Sequence, residues 1–191
     1  TLQSYFIRSR TYLRAVLSQY LSIDPMHIKY VYNNDKKPFI APLTTPPIQF
    51  NLSHSDNYLL IGVCKTSLIG VDIETIRPIQ NIDQLATRFF TSKEAEKLKK
   101  ISSLHKKKQA FFRCWCRKES TIKAVGSTLG KLLNKFEVSF LENETPEIIT
   151  NSKKNNLNNL YLTCPIINNN ISVSITTTLP NANLQTTSLL T

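Results

Sequence analysis

The strongest helical signal in the chain sets the terms for everything around it. From about residue 106 to 125 the apolar residues Phe111, Phe112, Trp115, Ile122 and Val125 keep to one side of a 3.6-residue period, and Gly126 ends the run. A helix with such a stripe must bury it against another layer. The flanking segments supply candidates of both kinds.

Ahead of that helix, residues 5–21 place Phe6, Leu13, Val16, Leu17 and Tyr20 near helical spacing, with Arg8, Arg10 and Arg14 as a basic flank. Asp24 followed by Pro25 reads as an N-cap and first helical position, opening a short turn before a strand at 28–32. Asn33-Asn34-Asp35 breaks the strand, and Pro38, Pro42, Pro46 and Pro47 predict an irregular loop leading to a strand at 48–52. Two β-branched runs, 58–64 and 68–73, flank Lys65-Thr66-Ser67 as a hairpin candidate. Helical patterning returns at 82–88, and Thr91 with Glu94 forms a capping box for a helix over 92–100. Strands are expected at 136–141, 160–164 and 171–176, separated by Asn-rich loops, of which 151–159 is polar enough to be mobile. The order of elements predicts an α+β fold of two related halves, 1–76 and 77–191.

Composition narrows the function classes. Four Gly, nine Pro and 19% charged residues suit a packed globular chain. With 24 Lys and Arg against 13 Asp and Glu, the net charge of +11 favours nucleic acid, an anionic membrane surface, phosphorylated cofactors or an acidic protein. Charge does not choose among these. Phe111, Phe112 and Trp115 read as core, and no aromatic-rich basic strand pair is visible, so nucleic acid is not the expected partner. No apolar run approaches the ~20 residues of a membrane span and no secretory signal is present, which predicts a cytoplasmic protein without membrane attachment. Cys64, Cys114, Cys116 and Cys164 lack the spacing of a zinc site and are expected as reduced thiols.

Chemistry concentrates in three short segments. In Gly70-Val71-Asp72-Ile73-Glu74 a strand period of two sets Asp72 and Glu74 side by side. Adjacent carboxylates repel unless a proton or cation lies between them, and oxygen donors without nearby His or Cys suit Mg²⁺ or Mn²⁺. A solvated carboxylate pair on an edge strand fits the same pattern. In the long helix, Trp115, Glu119 and Lys123 recur every four residues, either as a surface ion pair or, given the apolar stripe, as a pair at the rim of the core. In Asn51-Leu52-Ser53-His54-Ser55, His54 reads as a turn residue or as a phosphate donor alongside Lys37, whose ammonium the preceding Asn-Asn-Asp turn would leave free for an anion.

Together, Asn51-Leu52-Ser53-His54-Ser55, Ile69-Gly70-Val71-Asp72-Ile73-Glu74, Arg88-Phe89-Phe90-Thr91 with Glu94, and Trp115 with Lys118-Glu119-Ser120 and Lys123 resemble, in order and spacing, the larger, surfactin-synthetase-activating phosphopantetheinyl transferases. Lys36-Lys37-Pro38 stands where that family has Gly-Lys-Pro, and the resemblance runs over roughly residues 5–140. It implies two pseudo-symmetric α/β-sandwich-like halves with the active site in the cleft between them, in a monomeric enzyme. Its substrates would be coenzyme A and an apo acyl carrier protein or peptidyl carrier protein. By the same resemblance Asp72, Glu74 and Glu119 ligate Mg²⁺, and Lys37, Ser53 and His54 hold coenzyme A phosphates, with Arg10 as a further cofactor contact. Lys123 assists the departing phosphate, and Glu119 takes the proton of the carrier serine. Family members carry several dozen residues before the first amphipathic helix, so a reduced N-terminal half or a fragment is expected. The alternatives are a fragment that binds coenzyme A without transfer and, less favoured, a module that uses its basic face to bind nucleic acid.

Overall fold

The structure, a computed structural model, describes residues 2–41, 47–149 and 157–187. Part of the proline-rich loop and residues 151–156 of the Asn-rich stretch lie outside the described residues. Helix α1 (Leu2–Leu21) leads through a 3₁₀ turn at Pro25–His27 to strands β1 (Lys29–Tyr32), β2 (Pro38–Ala41), β3 (Gln49–Ser55), β4 (Tyr58–Cys64) and β5 (Ile69–Thr75). Helices α2 (Ile82–Phe89), α3 (Ser92–Lys99), α4 (Leu104–Ala124) and α5 (Leu129–Leu132) follow, then β6 (Glu137–Val138), β7 (Ile148–Ile149), β8 (Tyr161–Thr163) and β9 (Ile171–Thr177). The mixture of helix and antiparallel strand is the expected α+β class.

Strand pairing departs from the expected hairpin. Runs 58–64 and 68–73 do not ladder with each other. Instead β4 pairs back onto β3, with Ser55 opposite Tyr58, and β5 pairs with the distant β9, placing Asp72 opposite Ser174. Asp56, with φ of 47°, makes the tight β3–β4 turn in a left-handed conformation that Asp tolerates, whereas Lys65-Thr66-Ser67 becomes a crossover. The expected irregular loop also hides a strand: Pro38 sits at the start of β2, opposite Tyr32 of β1. The strand expected over 136–141 shrinks to β6, because the Glu144 carboxylate accepts from both Phe140 N–H and Leu141 N–H and takes them out of any ladder.

The described residues form four apolar clusters, two of them small and built on β5 and β9. Of the other two, the smaller joins Leu13 and Leu17 of α1 to Ile28, Ile40 and Phe50. On α1, therefore, the middle of the expected stripe is core while Phe6 and Tyr20 stay exposed. The larger gathers Phe90, Phe111, Phe112, Ile122, Phe136 and Phe140 around α4. The capping box forms as expected, with Thr91 accepting from Glu94 N–H and Glu94 accepting from Thr91 N–H. All four cysteines are free thiols, Cys114 and Cys116 buried within α4. Among the described residues no helix is long and apolar enough to cross a membrane.

Candidate active site

The site begins with a contact that only glycine permits. A β-carbon on Gly70 would lie 2.0 Å from Ser120 O and 2.3 Å from Ala124 N, so β5 and the last turns of α4 touch backbone to backbone. Further along the same interface Ser120 Oγ bonds to Ser174 Oγ and Thr176 Oγ1 of β9, both at 2.9 Å, fixing the helix on the sheet. Asp72, two residues past Gly70, shares its strand face and so points at the helix. Lys123 and Glu119, one turn apart on α4, face it.

The resulting geometry is tight. Lys123 Nζ donates to Asp72 Oδ1 at 2.6 Å and lies 3.3 Å from Glu119 Oε2. Ser53 Oγ donates to the same Asp72 oxygen at 2.7 Å and accepts from Lys123 at 3.1 Å. Asp72 Oδ2 is buried with no well-formed hydrogen bond among the described residues, and the Cys116 thiol is the remaining polar group beside this carboxylate. Burial pushes the Asp72 carboxyl up, against the pull of Lys123. Glu119 rises to about 7, chiefly through burial and then through the neighbouring Asp72 charge, with Lys123 opposing both. For Lys123 burial works against the charge, yet the two carboxylates outweigh it and its pKa is raised.

Ser53 reaches this cluster because β3 runs beside β5 and sends every second side chain across. Asn51 Oδ1 accepts from Val71 N–H at 2.9 Å, Ser53 meets Asp72, and Ser55 Oγ accepts from Thr75 N–H at 3.0 Å while donating to Glu74 Oε2 at 3.0 Å. The Asn-Leu-Ser-His-Ser segment is thus a side-chain zipper between two strands. Asn51 and Ser55 carry roles that the sequence reading left unassigned, although their period-two spacing was visible. His54 falls on the opposite, exposed face.

Other expected members are placed elsewhere. Glu74 is held by Ser55 and by Arg77, whose Nη1 lies 2.8 Å from Glu74 Oε2 while its guanidinium covers the Phe112 ring. The sequence reading assigned no role to Arg77. Arg10 lies over the Phe6 ring of its own helix and makes no hydrogen bond or ion pair with the cluster. The expectation of a free Lys37 ammonium is corrected: it is buried, 7% exposed, and donates to Ile69 O at 3.3 Å and to Lys123 O and Ala124 O at 2.8 Å. The last carbonyls of a helix lack intrahelical donors, and Lys37 supplies them. Burial pulls its pKa down to about 8.

Neighbouring Lys118, part of the same sequence motif, points away from this cluster into a buried ion pair with Glu94 at 2.9 Å. Among the described residues no group of three or more His, Cys, Asp and Glu side chains is arranged to hold a metal ion. The donor chemistry of the cluster still suits a hard cation. Asp72 and Glu119 with Lys123 between them leave one negative charge in excess when all are ionised, and Asp72 Oδ2 is an oxygen without a hydrogen-bond partner among the described residues.

Comparison with known proteins identifies a family over the segment that carries most of this cluster. Residues 68–170, from β5 to the start of β9, match the family model of the 4'-phosphopantetheinyl transferase superfamily. The 4'-phosphopantetheinyl transferase HetI of Nostoc sp. is 36% identical over 146 residues, 76% of this chain and 61% of the relative. The 4'-phosphopantetheinyl transferase ffp of Bacillus subtilis is 36% identical over 132 residues, 68% and 55% of the two chains. The 4'-phosphopantetheinyl transferase AcpT of Escherichia coli O157:H7 is 34% identical over 123 residues, 63% and 59%. The chain spans from about half to three fifths of the length of these relatives. With the matched segment carrying Gly70, Asp72, Glu119 and Lys123, this chain belongs to the 4'-phosphopantetheinyl transferase superfamily.

Proposed function

We propose that this protein moves the 4'-phosphopantetheine arm of coenzyme A onto a serine of an apo acyl or peptidyl carrier protein, as a Mg²⁺- or Mn²⁺-dependent monomer of the larger, surfactin-synthetase-activating type. The observation that carries this reading is the Asp72–Lys123–Glu119 cluster, with its excess of negative charge and its unpartnered Asp72 oxygen. The active site would occupy the cleft between halves 1–76 and 77–191.

Phosphoryl transfer depends on positioning and charge neutralisation more than on a strong nucleophile. The carrier serine Oγ attacks the phosphorus bearing pantetheine, and the bond from that phosphorus to the bridging oxygen breaks. The product 3',5'-ADP leaves with that electron pair. Glu119 takes the serine proton, directly or through water, and a pKa of about 7 suits that exchange near neutrality. Lys123, already between two carboxylates, offers its charge to the departing phosphate. Ser53 and His54 bind coenzyme A phosphates, with Arg10 as an outer contact. A divalent ion held by Asp72, Glu119 and Glu74 would neutralise charge on the diphosphate. Glu74 joins such a set once it lets go of Arg77. The chain's net charge of +11 suits an acidic carrier.

The direct test is the intact mass of apo acyl carrier protein after incubation with this protein, coenzyme A and Mg²⁺, with EDTA as control. A gain of one phosphopantetheine that EDTA blocks is the expected result. Coenzyme A binding without any gain, across several carriers, would leave a binding protein and remove the transfer.

A further inference from the structure

The resemblance offers Lys37 as a phosphate ligand, but its surroundings describe a different task. An ammonium has three N–H donors, and Lys37 directs its Nζ at three backbone carbonyls, Ile69 O at the start of β5 and Lys123 O and Ala124 O at the end of α4. These acceptors flank the point where Gly70 lets strand and helix touch. No donor is left for an anion.

The segment carrying Lys37 is bound to the same helix end by further contacts. Asn33 Oδ1 accepts from Lys37 N–H at 2.7 Å, and Asn33 Nδ2 donates to Gly126 O at 3.1 Å. Gly126, at φ of 67°, turns the chain out of α4 in the left-handed conformation that closes helices, and a β-carbon there would meet Asn33 Nδ2 at 3.0 Å and Lys37 Cδ at 3.1 Å. Nearby, Asp35 pairs with Lys131 of α5 at 2.5 Å. The β1–β2 turn therefore caps α4 as a unit. The carbonyl of Lys123 is gripped from behind while its ammonium reaches Asp72 and Ser53 in front.

We propose that Lys37 is a positioning residue: it pins the last turn of α4 to β5 and so sets where the Lys123 ammonium and Glu119 carboxylate stand relative to Asp72. The inference rests on the transferase reading for its kinetic consequence and on the geometry alone for the pin itself.

Two measurements test it. In the wild-type chain, acetic anhydride labelling followed by peptide mapping should modify Lys37 at least tenfold more slowly than the exposed Lys97, Lys99 and Lys100, with and without coenzyme A. Labelling of Lys37 at their rate in the free protein, with protection on adding coenzyme A, would overturn the pin and restore the phosphate ligand. That readout stands whether or not the chain transfers anything. In the second, Lys37→Met should lower kcat for carrier modification at least tenfold with coenzyme A Kd held within threefold, and should speed amide exchange at Val125, Gly126 and Ser127. Lys37→Arg should not rescue kcat, since a guanidinium is too wide for a slot lined by Gly126. A rise in Kd matching the fall in kcat, or full rescue by Arg, would sink the proposal.

Discussion

Lys118 and Lys123 stand five positions apart on α4, which turns them about 140° from each other around the helix, and each meets a carboxylate from another element. Lys118 and Glu94 are 0% and 2% exposed and 2.9 Å apart. Every polar atom there is occupied: Glu94 also accepts from Thr91 N–H and Val138 N–H, and Lys118 also donates to Phe136 O and lies over the Phe136 ring. Lys123 and Asp72 are closer, 2.6 Å, yet the lysine is 27% exposed, a second carboxylate competes for it, and one Asp72 oxygen has no hydrogen-bond partner among the described residues. The first pair is saturated and so holds elements together. The second is left unfinished and open on one side, which is what a site that must receive a charged ligand requires.

The largest expected effect comes from breaking the saturated pair. Glu94→Gln or Lys118→Met leaves a buried charge unpaired and should lower unfolding free energy by about 3–5 kcal/mol in chemical denaturation. The double replacement Glu94→Leu with Lys118→Met should recover most of that loss, because two buried charges disappear together. A single variant losing under about 1 kcal/mol would put Lys118 in the same class as Lys123 and dissolve the contrast.

Next come Asp72→Ala and Glu119→Ala, where the contrast predicts the reverse. Folding should survive while carrier modification falls by about 10²–10³-fold, on the scale of removing one electrostatic contact to a reacting group. Unfolded variants would place Asp72 among the structural residues. Full activity in both would end its part in the site.

A smaller effect follows from protonation. Glu119 has an ordinary value of 4.5 and a folded value of about 7, so between those values the folded chain keeps a proton that the unfolded chain has released. Stability is then fully present below about pH 4.5 and is lost as pH rises to 7. Glu119→Gln should flatten this slope and gain on the order of 3 kcal/mol at pH 8, without change at pH 4. The same group should give the transfer rate a rising limb near pH 7 in the wild type. A flat stability profile in the wild type would return Glu119 to solvent.

Smallest is Ser53→Ala, which removes one hydroxyl from between Asp72 and Lys123. A cost of about 1 kcal/mol in stability, with a severalfold lower rate, is expected. A loss as large as that of Asp72→Ala would mean that Ser53 touches the reacting atoms.

Much of this was legible in the chain, for physical reasons that differ by element. The α4 stripe and the Thr91–Glu94 box are local patterns, written within one or two turns, and both appear as read. Asp72, Glu119 and Lys123 were legible as candidates because carboxylates inside apolar runs are costly and conspicuous. The β4–β5 hairpin was misread because two adjacent β-branched runs look like partners whether or not they pair. What separated them was β9, about a hundred residues away, which pairs with β5 along its whole length while β4 pairs with β3. Lys37 was misread for a related reason. Its neighbours in sequence are polar and exposed, while its neighbours in space are carbonyls from 32 and 86–87 positions away.

By itself the sequence determined most element types, the α+β class, the family and most of the side chains able to do chemistry, since each depends on spacing along the chain. Tertiary structure alone decided which of those side chains meet. The close approach at Gly70 brought Lys123 to Asp72, the β3 zipper added Ser53 and turned His54 away, and the cap on α4 turned the Lys37 ammonium onto backbone carbonyls. The physical reason is that donors and acceptors are satisfied by whatever lies within about 3 Å, and sequence order does not fix what that is.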